Sequence, residues 1–447
     1  AAAALAIDAA LARCLPADRD RDVAARYRPM AVADARACLA PLSLDAVFAA
    51  THTAMPARVS IVAPLLHAGV ADLLRTRSVA DWQAWLRVRC IDRAAPLLDA
   101  DLRRRHQRFY GRALRGERRA APVWKQVLAA IDRDLGEAMA ECYVARHVAA
   151  DTRSVVQALF ERLRAALRAR VLRADWLSDT GRARALAKVD TLRASLVAPT
   201  AWPDWRELLL TQGSFHRRLR AARAYALRQR LRGLTAAAAA AWTMPAHRVN
   251  ARYDPHRNRI EVPAGILQSP LFDVHDTLAR QYGAIGAVMA HEMSHALDDQ
   301  GRLFDGDGRF GAAWPPSDDA AFAARAQRIV ARFDGLPLID GIALDGRLTL
   351  GENIADLAGL AIAWDAWQTA QDDDGALRQR DARDFFFAWA RLWRQALTPD
   401  AARQRARFDH HAPAALRANV AAMALPAFDA AFAVQGSRDP GERLGVW

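Results

Sequence analysis

Residues 291–295 read His-Glu-Met-Ser-His. On a helix, His291 and His295 lie one turn apart on one face, where two imidazoles can hold a single Zn²⁺. Glu292 stands beside them, able to take a proton from a water that attacks a substrate. The surrounding sequence has a helical pattern. Tyr282, Ile285, Val288 and Met289 recur at helical spacing before the motif, and Leu297 continues it. Such a pentapeptide also arises by chance, and two histidines on an apolar helix can be plain core residues. The rest of the chain therefore has to complete the site.

Catalytic zinc takes three protein ligands and keeps one position open. The best third ligand lies downstream, in Gly351-Glu352-Asn353-Ile354-Ala355-Asp356. Glu352 and Asp356 are one helical turn apart and project from one face. Ile354, Leu357, Ala358, Leu360, Ala361 and Ile362 make this helix largely apolar and so buried. A buried carboxylate needs a partner or a metal. Glu352 is the candidate ligand. Asp356 is placed to accept a hydrogen bond from the second nitrogen of a ligating histidine, His291 above all.

The elements that position these groups are mostly helical. Up to about residue 195 the chain reads as helix after helix, with apolar residues at three- and four-residue steps in Val79–Arg89, Leu97–Leu114, Trp124–His147 and Ser154–Val171. Pro199, Trp202, Pro203 and Trp205 interrupt the pattern, which puts a domain boundary near residue 200. A helical stretch over Phe215–Ala241 follows. Arg248–Tyr253 and Asn258–Val262 are short extended runs around Asp254-Pro255, a turn signal, and predict a hairpin or a pair of strands. The motif helix comes next, then a Gly/Asp loop over Gly301–Gly311, a helix from about Pro316 to Phe333, one from near Thr349, and one over Asp381–Ala396. The expected fold class is mainly α (α+β) with a small sheet, in two domains: 1–200 helical and 201–447 carrying the motifs.

Composition excludes several classes. The 447 residues are 52% hydrophobic and 25% charged, enough for two domains with large cores. No run of eighteen apolar residues suggests a membrane span. The net charge of +13 is almost all arginine, since Lys125 and Lys188 are the only lysines. The densest basic run is Arg103, Arg104, Arg105, Arg108, Arg112, Arg115, Arg118 and Arg119. It lacks the Gly-rich or regular aromatic interleaving of a nucleic-acid binder and reads as a solvated helix face, or one paired with acids elsewhere. Cys14, Cys38, Cys90 and Cys142 have no metal-type spacing and are expected to be buried free thiols. The chain opens Ala-Ala-Ala-Ala-Leu with no readable signal peptide, and Leu5, Ile7 and Leu11 begin a helix pattern that reads as a processed or truncated start.

Taken in order, four blocks resemble the neprilysin and endothelin-converting-enzyme family of zinc metallopeptidases. They are Val249-Asn250-Ala251-Arg252-Tyr253, Pro263–Gln268, His291–Gly301 and Thr349–Gly359, with weaker support from Glu141–Val144 and Val446-Trp447. The resemblance covers most of the chain. It implies a thermolysin-like zinc peptidase domain capped by a large all-helical domain that limits access to short peptides. At matching positions it implies zinc ligands His291, His295 and Glu352, a general base Glu292 and a supporting carboxylate Asp356. Asn250 and Ala251 match a clamp that holds the substrate backbone as an added strand. His411 matches the histidine that steadies the oxyanion, and Arg417 the arginine that binds a substrate carbonyl. Ile266, Leu271, Val288, Leu392 and Trp393 fall where the family builds an apolar pocket for the residue after the cut.

Two departures stand out: Arg252 replaces an aromatic residue in the clamp, and Ala290 replaces a glycine before the His-Glu pair. No counterpart of the family's N-terminal segment is visible. The function implied is zinc-dependent endopeptidase or oligopeptidase action, with a catalytically impaired peptide-binding homologue as the alternative. One Zn²⁺ per chain, peptide substrates, no nucleic acid, a monomer and a periplasmic, secreted or cell-envelope location in a bacterium complete the expectation.

Overall fold

The computed structural model describes residues 2–15, 27–117, 119–208, 212–232, 242–311, 314–370, 375–434 and 444–447. Arg118 and the stretch 233–241 lie outside the described residues. The described chain is mainly helical with few and short strands, and it divides into two units. One comprises Ala1–Gly136 with Asp204–Ala241, the other Glu137–Pro203 with Trp242–Trp447.

The second unit is organised around α1 (Thr152–Arg173). Its Thr152, Val156, Leu159, Phe160, Leu163, Leu167 and Val171 form one buried stripe at helical spacing. After α2 (Asp179–Asp190) the chain enters a three-stranded mixed sheet of β1 (Arg193–Val197), β2 (Arg252–Asp254) and β3 (Arg259–Pro263). The strand order is β1-β3-β2. Central β3 runs parallel to β1, from Arg193↔Arg259 to Val197↔Pro263, and antiparallel to β2, with Arg252↔Glu261. Being central, β3 is buried along its whole length. The motif helix follows as Leu278–Gln281, a π-helical turn over Tyr282–Gly286, and α3 (Ala287–Ser294), closed by a 3₁₀ turn over His295–Leu297. Then come α4 (Pro316–Phe333), α5 (Leu350–Thr369), α6 (Gly375–Leu392) and α7 (Ala414–Met423). Helices α3 and α5 pack on each other, and α1 packs on both.

Three expectations need correction. The predicted cut near residue 200 does not separate the units. The α1 stripe belongs to the core of α3 and α5, and β1 is hydrogen-bonded to β3, so residues 137–203 fold with 242–447. Residues 204–241 belong with the first unit, where Tyr225 donates to the Asp204 carbonyl and Arg223 pairs with Asp134. The N-terminal part is also not all-helical. Pro29–Ala31 pairs antiparallel with Arg58–Ser60, and inward-facing Met30 and Val59 cover a small cluster of Ala35, Leu39 and Ile61. Lastly, the cysteines are free, but Cys38, Cys90 and Cys142 are exposed rather than buried, because they lie on outward faces of their helices. Among the described residues no helix is long and apolar enough to cross a membrane.

The loop after the motif is fastened by a lysine. Buried Lys188, from α2, donates to the Gly301 carbonyl and, at 2.7 Å, to that of Phe304. Burial lowers its pKa to about 7, against the raising effect of Asp298 and Asp305. Lys188→Met should leave two buried carbonyls without their donor and destabilise the fold by about 2–4 kcal/mol. The unfolded lysine holds its proton up to about 10.5 and the folded one only to about 7. Between those values the unfolded state binds more protons, so this group makes the wild type more stable as pH rises. The gap in melting temperature between the two proteins should therefore widen from pH 7 toward pH 10. A constant gap would contradict the assignment.

Candidate metal centre

His291 and His295 project from the end of α3 and the turn that closes it, and Glu352 from the first turn of α5. Their ligand atoms all lie within 4.8 Å of one another. The two Nε2 atoms are 3.1 Å apart, and His291 Nε2 is 3.2 Å from Glu352 Oε2. Each ring is held from behind. His291 Nδ1 meets Asp356 Oδ1 at 2.9 Å, and His295 Nδ1 meets Asp298 Oδ2 at 2.7 Å. A carboxylate on Nδ1 holds the proton there and turns the Nε2 lone pair inward.

The residues fit a cation at this junction. Two Nε2 atoms 3.1 Å apart need either a shared proton or a cation between them. Glu352 Oε2 is buried without a hydrogen-bond partner of good geometry. Burial alone would lower the pKa of His295, yet the charge of Glu352 and the bond to Asp298 hold it up at about 10. Burial would likewise raise Glu352, but His295, His291 and His411 pull it well below the usual carboxylate range. The pocket thus favours positive charge. Two imidazoles and one carboxylate are a donor set suited to zinc.

Glu292 is buried next to His291, near enough for its charge to act on His295 and Arg417. His411 brings Nε2 to 3.2 Å from Glu352 Oε2, while its Nδ1 lies 2.8 Å from Asp409 Oδ1. Burial would lower its pKa, but Asp409 and Glu352 hold it up at about 9. Arg417 grips Asp356 with two bonds, Nε to Oδ2 at 2.6 Å and Nη2 to Oδ1 at 2.7 Å. Its guanidinium also stacks 3.9 Å from the centre of the Trp393 ring. Arg417, partly buried, thus joins buried Asp356 and His291 in one relay of contacts, an arrangement the sequence reading of Arg417 did not contain.

The remaining expected residues are more dispersed. Ala251 is buried and Asn250 exposed, immediately before β2, which has a neighbour on one side only among the described residues. Ile266 is buried, and Leu271, Val288, Leu392 and Trp393 pack half-buried against the same core. Sequence reasoning missed two carboxylates, Asp298 and Asp409. The first was legible in principle, three residues after His295 in a tight turn. The second sits two residues before His411 and also accepts a bond from its backbone N–H.

Asp298 supplies a sharp test. Its Oδ1 accepts from Gln300 N and Gly301 N, and its Oδ2 from His295. Asp298→Asn keeps an oxygen for the turn but removes the carboxylate behind the imidazole. Zinc affinity should fall about 10–100-fold, with the fold retained. An unchanged affinity in a chelator competition would refute the role.

Comparison with known proteins identifies the family. Two models described as peptidase family M13 match residues 1–199 and 250–439. The neutral endopeptidase of Lactobacillus helveticus is 28% identical over 452 residues, covering 99% of this chain and 68% of that protein. That of Lactococcus lactis subsp. cremoris is 33% identical over 304 residues, 67% of this chain and 47% of its own length. Among solved structures, the Mycobacterium tuberculosis zinc metalloprotease Zmp1 in complex with inhibitor is 31% identical, with a TM-score of 0.87 over 99% of this chain and 69% of that one. PepO from Lactobacillus rhamnosis is 30% identical, with a TM-score of 0.88 over 99% and 70%. The chain thus spans about half to two thirds of these relatives. On sequence and on structure alike, it belongs to peptidase family M13, the metalloendopeptidases of neprilysin type.

Proposed function

We propose that the chain acts as a zinc-dependent endopeptidase on short peptides. The observation that carries this reading is the convergence of His291 Nε2, His295 Nε2 and Glu352, with Asp356 and Asp298 behind the rings. Zinc bound there would supply Lewis acidity to the scissile carbonyl and acidity to the attacking water. Glu292 takes that water's proton and passes it to the leaving amine. His411, steadied by Asp409, donates to the carbonyl oxygen as negative charge develops, a donor worth about 3–4 kcal/mol in sites of this type. Arg417 fixes Asp356 behind His291 and lends its charge to the substrate carbonyl.

The peptide adds along β2 as a further strand, held by the Asn250 amide and the Ala251 main chain. Ile266, Leu271, Val288, Leu392 and Trp393 receive a hydrophobic residue after the cut. The purified chain should hold about one zinc and cut a quenched peptide library before hydrophobic residues. Zinc bound without any cutting would favour a peptide-binding role, and no zinc would refute the ligand set. The compartment that accompanies this reading is the periplasm or the cell exterior, and the state a monomer. Fractionation of the native host and light scattering on the purified chain check the two.

Arg252 gives the reading a finer edge. It sits half-buried on β2, directly after the clamp residues, with no ion pair among the described residues. We expect it to favour acidic side chains in the substrate by about fivefold, the effect of roughly 1 kcal/mol from one partly exposed charge pair. Matched glutamate and lysine peptides at low salt should show that preference, and Arg252→Phe should abolish it. Equal rates in the unaltered protein would sink the idea.

A further inference from the structure

Helices α3 and α5 meet most closely at a residue outside the chemistry. Gly359 lies on α5 against the backbone of His291. A Cβ built on Gly359 would fall 2.6 Å from His291 N, 2.7 Å from its Cα and 3.0 Å from its Cβ. Contacts under 3.0 Å onto backbone cannot be relieved by turning a side chain, so one helix would have to move. Alanine is the better helix former, so glycine at this buried mid-helix position has a packing cause. The rest of the crossing is also thin. Ser294 donates to the His291 carbonyl at 2.7 Å and reaches the Ala355 carbonyl at 3.4 Å.

The same two helices carry the metal-type cluster. Gly359 lies three residues after Asp356 and seven after Glu352, about 4.5 and 10 Å along the axis, on the helix face that holds both carboxylates. Whatever separates the helices at Gly359 therefore moves Asp356 away from His291 Nδ1, and Glu352 away from both Nε2 atoms. We infer that Gly359 is a positioning residue for the metal centre. Its missing side chain sets the separation of α3 and α5 at which two histidines and Glu352 reach one ion. The inference rests on the zinc reading above and adds a determinant that neither binds metal nor touches substrate.

The test compares Gly359→Ala with Gly181→Ala. Gly181 is also helical and tightly packed, but its added Cβ would meet the Asp318 carboxylate rather than either helix of the site. Zinc affinity is measured by chelator competition, and melting of the metal-free protein is measured separately. We expect Gly359→Ala to lose about tenfold or more in zinc affinity, as when a support behind a ligand is removed. Gly181→Ala should lower the melting temperature and leave zinc affinity unchanged. A folded Gly359→Ala protein that binds zinc like the wild type overturns the inference, as does an equal loss in both variants. If Gly359→Ala does not fold, Ser294→Thr places one methyl at the same crossing and must show a smaller loss in the same direction. An unchanged affinity there overturns the inference instead. Failure of the wild type to bind zinc would refute the zinc reading itself and is told apart by that control.

Discussion

Glu292→Gln should lower kcat by about a thousandfold or more, within the 10²–10⁴ attributable to a positioned general base, while zinc content and KM stay near those of the unaltered protein. Glu292 is not among the three groups whose ligand atoms converge, so the amide leaves the metal donors intact. It cannot take a proton from the attacking water, so the loss falls on the chemical step. Glutamine matches glutamate in size and retains a hydrogen-bonding oxygen in this buried position, which limits the effect on folding. Metal analysis beside steady-state kinetics reads both sides of the prediction. A variant that cuts at the wild-type rate would remove Glu292 from the mechanism. One that loses zinc as well would make it a ligand or a structural support.

The second large effect is expected at Glu352. Glu352→Ala removes one of three donors and the carboxylate that raises His295. The two Nε2 atoms, 3.1 Å apart, would then lose the carboxylate that faces them, leaving only the anions behind the rings and Glu292. Zinc affinity should drop about a thousandfold. That corresponds to roughly 4 kcal/mol, about a third of the 10–16 kcal/mol with which proteins hold structural zinc. Activity should vanish at ordinary zinc concentrations and return only in part with excess metal. Isothermal titration with zinc checks this directly, and an affinity within tenfold of wild type would exclude Glu352 as a ligand.

The parts of the site legible in the sequence are those set by a short helical repeat. His291 with His295, and Glu352 with Asp356, are i and i+4 pairs on helices whose apolar periodicity is plain, so their common faces follow from geometry alone. The β2–β3 pairing was likewise marked by its turn residues. What stayed hidden depends on partners far away in the chain. Strand β1 is five residues long and pairs in parallel across a long connection, which leaves no local signal. Lys188 looks like any basic residue until Gly301 and Phe304 fold over it. Arg417 and Asp356 are 61 residues apart, and the demand for a hydrogen at residue 359 exists only once α3 lies against α5. The Pro199–Trp205 punctuation marked a real break in helical texture. Texture does not reveal which core a segment joins.

Because residues 137–203 fold with 242–447, while 204–241 belong with the first unit, the polypeptide passes from one unit to the other three times. The unit bearing the metal-type cluster is therefore not a cassette. Expressed from residue 201 onward, it would lack α1, α2 and β1, leaving β3 with an unpaired edge and the apolar flanks of α3 and α5 bare, a composition prone to aggregate. Order of synthesis follows the same logic. The first unit has all its residues once position 241 has left the ribosome, whereas α1 must wait for α5, nearly two hundred residues later, before its buried stripe is covered.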